Sequence, residues 1–98
     1  MRRENIESLS EFKIAETHTF RKKIESYEFK GYYNKIKTII YPILRQNPYH
    51  GPNIKRLKGK LKPVYRYRIG NYRLFYTIDK EKMLVFILDF IHRKEAYR

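Results

Sequence analysis

The stretch VYRYRIGNYRLFYTI, residues 64–78, leaves the chain little choice of local structure. Tyr65, Tyr67 and Ile69 alternate with Arg66 and Arg68, the period of two that sends neighbouring strand side chains to opposite faces. Gly70-Asn71 is a two-residue hairpin signal, and Tyr72-Arg73-Leu74-Phe75-Tyr76 resumes the alternation with a third arginine. Burying the tyrosines turns Arg66 and Arg68 outward, and an antiparallel hairpin brings Arg73 near the face of Arg68. No Asp or Glu occurs from Ile54 to Arg73. The arginines therefore have no carboxylate close in sequence, and like charges opposed on one sheet face repel.

The segments around this hairpin complete a small fold. Phe12 to Thr17 alternates weakly and reads as a first strand. Thr17 or Thr19 is placed to cap a helix carrying Phe20, Ile24 and Tyr27 at i, i+4, i+7. Gly31 reads as its stop. A second helix from about Tyr32 carries Tyr33, Ile36, Ile39, Ile40, Ile43 and Leu44, and Pro42 inside it should kink it or remove a backbone bond near Thr38. Asn47 to Asn53 is dense in breakers and reads as a loop. Leu84–Ile91 is nearly all apolar, as a central strand covered on both faces would be. The expected fold is α+β in the order β-α-α-β-β-β: a small antiparallel sheet with an N-terminal helical hairpin on one face. Residues 1–98 make a single domain, with 1–10 an N-terminal arm.

The net charge of +13 is concentrated rather than spread. Residues 1–53 carry 10 Lys/Arg against 6 Asp/Glu, residues 54–73 carry 8 against none, and residues 74–98 carry 5 against 4. A local basic field of this kind attracts polyanions. The absence of cysteine excludes a disulfide framework and thiolate catalysis and fits a reducing cytoplasm. The apolar run Met83–Leu88 is too short to span a bilayer, so no membrane role is expected.

Arginine is always charged and donates in a planar fork, so Arg66, Arg68, Arg73 and Arg93 suit phosphate. Lys55, Arg56, Lys58, Lys60 and Lys62 form a looser basic rim that would engage RNA backbone charge without reading sequence. RNA carries its own nucleophile in the 2′-hydroxyl. Cleaving it requires alignment, stabilisation of the charge on the phosphorane, and two proton transfers. His92, Tyr97 and Glu95 lie near Arg93 in sequence and can move protons. Asp89 needs a partner if buried, and Arg93 is the candidate. Three scattered histidines make no metal site.

The stretch R-L-K-G-K-L-K-P-V-Y-R-Y-R-I-G-N-Y-R-L-F-Y-T-I-D, with the later I-H-R-K-E-A-Y-R, resembles the RelE/ParE toxin superfamily over about residues 12–98. It is most similar to the RelE-type mRNA interferases of type II toxin–antitoxin systems. The resemblance implies cleavage of mRNA in the ribosomal A site by 2′-hydroxyl attack, without metal or other cofactor. It also implies a cognate small acidic antitoxin, and a toxin–antitoxin hetero-oligomer on operator DNA. The catalytic positions of the family fall on Arg66, Arg68, Arg73, Arg93 and Tyr97, with His92 where some branches carry a proton donor. Two positions that are often lysine in the family are arginine here. Two other readings remain: a ParE-like inhibitor of DNA gyrase without nuclease activity, and a non-catalytic RNA- or ribosome-binding module.

Overall fold

A computed structural model describes residues 11–58 and 62–96. Strand β1 (Lys13–Glu16) is followed by helix α1 (His18–Ile24). Thr17 caps α1 by accepting from the Phe20 N–H at 3.3 Å, while its hydroxyl donates to the Ile87 carbonyl at 2.8 Å. One threonine thus starts the helix and ties it to the sheet.

The first helix ends earlier than Gly31, because Ser26 adopts an extended backbone (φ −64°, ψ 155°). A 3₁₀ turn over Tyr27–Phe29 then leads into α2 (Lys30–Lys35), a π turn over Ile36–Ile40, and α3 (Tyr41–Gln46). Gly31 lies inside α2 and stops nothing. The π turn is the answer to Pro42, which lacks an N–H and whose ring would collide with the carbonyl four residues back. The Tyr41 N–H reaches Ile36 O, five residues back, and the wider turn lets the helical path continue.

Four further strands follow: β2 (Ile54–Leu57), β3 (Val64–Ile69), β4 (Tyr72–Asp79) and β5 (Leu84–His92), with a terminal turn α4 (Arg93–Ala96). The sheet order is β1-β5-β4-β3-β2. β1 runs parallel to β5, and the other pairs are antiparallel. The α+β class is the expected one. The sheet has one strand more than the sequence reading allowed, because the basic segment after Asn53 forms an edge strand. Lysine and arginine on an edge also discourage pairing with another chain. Gly70 takes φ +57° at the β3–β4 turn, where an L side chain would be strained.

All helices but α4 pack on one face. Phe20 and Ile24 of α1, with Ile36, Ile40, Tyr41 and Leu44 of the second helical path, meet Tyr65, Tyr67, Ile69, Leu74, Tyr76, Val85, Ile87 and Phe90 of the sheet. Burying each large side chain is worth about 1.5–3 kcal/mol. The Tyr76 hydroxyl, fully buried, donates to Pro48 O at 2.7 Å, so the core aromatic pins the Asn47–Asn53 loop.

Strand β5 contains an irregularity. Phe75 is opposite Asp89 but Tyr76 is opposite Ile87, which leaves Leu88 as an extra residue. The buried positions accordingly step Val85, Ile87, Phe90 rather than keeping to odd numbers. A bulge of this kind moves every later side chain to the other face. Asp89 and Ile91 turn away from the helices, and Phe90 and His92 turn toward them.

Candidate functional site

The face away from the helices is where the arginines gather. Across the strands, Lys55 is opposite Arg66, Arg66 opposite Phe75, and Phe75 opposite Asp89. One step along, Arg68 is opposite Arg73, which is opposite Ile91. Arg66, Arg68 and Arg73 thus share one face on two adjacent strands. Among the described residues, the ion pairs join Arg21 to Glu16 and Glu25 and Lys23 to Asp89; none involves these three arginines.

The three are held differently. Arg73 is 8% exposed, and its Nη1 donates to Gly70 O at 3.1 Å and Tyr72 O at 3.0 Å, clasping the hairpin turn. Arg66 Nη1 donates to Asn53 O at 2.9 Å. In both, the buried Nε finds no partner among the described residues, and an orphaned donor costs about 1–3 kcal/mol. Arg68 is exposed. The set therefore combines one guanidinium without a partner among the described residues with two whose direction is fixed by backbone carbonyls, and the like-charged pair Arg68–Arg73 is unrelieved within the described chain.

Beside the arginines a cleft of about 500 Å³ is lined by Leu57, Lys58, Val64, Phe75, Leu88, Asp89 and Ala96. Helix α4 brings Ala96 to its wall. Arg93 opens α4, is exposed, and is anchored by its backbone N–H donating to Asn71 O at 2.7 Å, beside the hairpin turn. Tyr97 and Lys60 lie outside the described residues.

His92 is not with the arginines. It is opposite Tyr72 and packs edge-on against that ring at 5.1 Å, within the aromatic group of Phe29, Tyr32, Tyr72 and Phe90 on the helix side. Its Nδ1 accepts from the Lys94 N–H at 3.2 Å. The bulge at Leu88 is the cause. Asp89, although turned to the open face, pairs with Lys23 of α1 at 2.6 Å rather than with Arg93; β1 ends at Glu16, opposite Ile87, and leaves the edge of β5 beyond it uncovered.

The basic rim also divides. Lys55 shares the arginine face, Lys58 lines the cleft, and Arg56, opposite Tyr65, belongs to the other side of the edge strand. Lys62 is exposed beside Pro63, Thr77 and Asp79.

A second polar group escaped the sequence reading. Glu16 accepts from the Tyr33 hydroxyl at 2.9 and 3.0 Å and from the Tyr41 hydroxyl at 2.7 Å, with Arg21 at 3.5 Å. Burial, then the bond to Glu16, raises the pKa of both tyrosines above the ordinary phenol value. The group fastens the second helical path to β1. Tyr33 belongs to the apolar face of the second helix and Tyr41 follows Ile40 of that face, so no sequence signal set the two apart.

Comparison with known proteins bears on this geometry. The sequence model of the ParE toxin of type II toxin–antitoxin systems (parDE) matches residues 14–97. The chain belongs to the ParE toxin family. No curated protein matches it. Among solved structures, this ParE-family chain is similar to the toxin–antitoxin complex RelBE2 of Mycobacterium tuberculosis, at 26% identity over 85% of this chain and 99% of that one, with a TM-score of 0.65. It is also similar to the archaeal RelE–RelB complex of Pyrococcus horikoshii, at 21% identity over 84% and 94% of the two chains, TM-score 0.66. A free mutant RelE toxin of E. coli matches at 16% identity over 89% and 88%, TM-score 0.65. The chain is a type II toxin with the RelE/ParE fold. Among the described residues no helix is long and apolar enough to cross a membrane.

Proposed function

We propose that this toxin is an endoribonuclease that cuts mRNA on the ribosome, in the cytoplasm, by attack of the RNA's own 2′-hydroxyl. One observation carries the reading: Arg66, Arg68 and Arg73 share an open sheet face and have no carboxylate partner among the described residues. A phosphodiester laid there meets guanidiniums that neutralise the charge growing on its oxygens, which is the main task in such a cleavage. Arg68 makes the first contact, Arg66 and Arg73 hold fixed positions beside it, and Arg93 extends the set along the hairpin turn. Lys55 and Lys58 steer the backbone. Proton transfer falls to Tyr97, the residue after cleft-lining Ala96, since the His92 ring packs on the far side of the sheet. The RelE relatives from M. tuberculosis and P. horikoshii were crystallised with their antitoxins, and a small acidic antitoxin would quench the same basic face, in a complex able to sit on operator DNA.

Induced expression followed by mapping of message 5′ ends tests this. Cuts should appear within translated frames and vanish with Arg68→Ala, whose fold should be unaffected.

A second reading is favoured by the family match itself and by the position of His92: a gyrase inhibitor without nuclease activity. It predicts intact messages together with gyrase-dependent DNA breaks in the same cells.

A further inference from the structure

The row Arg66–Phe75–Asp89 crosses three adjacent strands on the open face. Neighbouring strands lie about 4.8 Å apart, so the row runs about 10 Å from a cation, over an aromatic ring, to a carboxylate. Phe75 is only 9% exposed and forms the floor of the cleft; Leu57, Val64, Leu88 and Ala96 give it apolar walls. An apolar slot next to a row of arginines is unusual on a wet sheet face, and it suits a flat apolar body joined to an anion. Asp89 is on this face only because of the bulge at Leu88, and bulges commonly re-aim side chains beside functional sites.

The Asp89 carboxylate is half used. Its Oδ1 accepts from Lys23 Nζ at 2.6 Å and from the Phe90 N–H at 2.8 Å. Among the described residues nothing donates to Oδ2, although Asp89 lines the cleft. The lysine fixes the carboxylate in place, and a carboxylate serves as an acceptor only.

We propose that this row seats one nucleotide of the RNA, and that Asp89 selects its base. The inference rests on the reading that the arginine face holds RNA. The phosphate lies at Arg66, the base enters the cleft over Phe75, and the donor edge of the base meets Oδ2. A carboxylate oxygen accepts the exocyclic amine of cytosine, adenine or guanine. Uracil carries no amine, and its one N–H lies between two carbonyl oxygens that the carboxylate repels. Amino-bearing bases are therefore preferred over uracil at this position, by about tenfold for one such contact.

The test uses the full-length toxin and fluorescein-labelled RNA heptamers that differ only at the central base (A, C, G or U), with affinity read by anisotropy. The wild type should bind the A, C and G oligomers about tenfold more tightly than the U oligomer. Asp89→Asn, which presents an amide able to pair with uracil, should bring the four close to equality. Lys23→Met breaks the ion pair but keeps the carboxylate, and should keep the preference. If Asp89→Asn leaves the preference intact, or Lys23→Met removes it equally, Asp89 is structural and the seat is wrong. In either case Arg68→Ala still weakens all four oligomers if the arginine face holds RNA. A wild type that binds no oligomer overturns the nucleotide seat and leaves the cleft to a protein partner, while the ribosomal reading stands or falls by the mapping of message 5′ ends.

Discussion

The two faces of the sheet are built from the same strands, and they differ in what satisfies them. On the covered face, Tyr65, Tyr67, Leu74, Tyr76 and Phe90 are closed over by helices, and hydroxyls find partners inside the chain, as Tyr76 does at Pro48. On the open face, Arg66 and Arg73 donate to backbone carbonyls, Arg68 is exposed, and none of the three has a carboxylate partner among the described residues. One face is complete within the described residues, and the other is the one proposed above to receive an outside anion. Alternation with period two lets a single hairpin serve both ends, so a substitution should affect stability or activity according to the parity of its position.

The sharpest way to break the contrast is to cut each face once. Phe90→Ala, with the ring 1% exposed, should cost about 3–5 kcal/mol of stability, read from urea unfolding. A loss below about 1 kcal/mol would mean that this face is not the core. Arg68→Ala should leave stability within about 0.5 kcal/mol and reduce cleavage at least about 100-fold, the scale for one charge-stabilising donor.

Arg73 tests the boundary between the two roles. It clasps Gly70 O and Tyr72 O, and hydrogen bonds from charged donors are worth about 1.5–3 kcal/mol. Arg73→Ala should therefore lower both melting temperature and activity, whereas Arg68→Ala lowers activity alone. Equal melting points for the two variants would show that the clasp contributes nothing.

Smaller effects belong to the Glu16 group. Tyr41→Phe removes one hydrogen bond to a carboxylate and should cost about 1.5 kcal/mol. The folded-state pKa of Tyr41 is raised above the unfolded value of 10.0, so its contribution is complete below pH 10 and is lost as pH rises further. Melting temperature should fall above about pH 10 in the wild type and less steeply in Tyr41→Phe. Arg21→Ala, which removes an exposed ion pair to Glu25 and a longer 3.5 Å contact to the largely covered Glu16, should change stability by no more than about 1 kcal/mol.

The β3–β4 hairpin, the Thr17 cap and the separation of tyrosines from arginines were legible because each rests on a short-range rule: alternation, capping, or the turn chemistry of glycine. Strand β2 was not, since an edge strand half made of lysine and arginine has the composition of a solvated loop. His92 and Asp89 were misplaced for a different reason. The run LVFILDFI has no polar face to mark its register, so an extra residue at Leu88 leaves no trace in the pattern yet exchanges the faces of everything after it. The arginine face could be read from the sequence; what joins it at the end of β5 could not.

The most direct test of the account is the salt dependence of binding to a labelled single-stranded RNA. Each phosphate neutralised by a cation contributes about −0.7 to the slope of log affinity against log salt. With Arg66, Arg68 and Arg73 engaged, the wild type should show a slope of about −2 or steeper, and Arg68→Ala should flatten it by about 0.7. A slope near zero, or one that Arg68→Ala leaves unchanged, would contradict the claim that the open face grips a phosphate backbone.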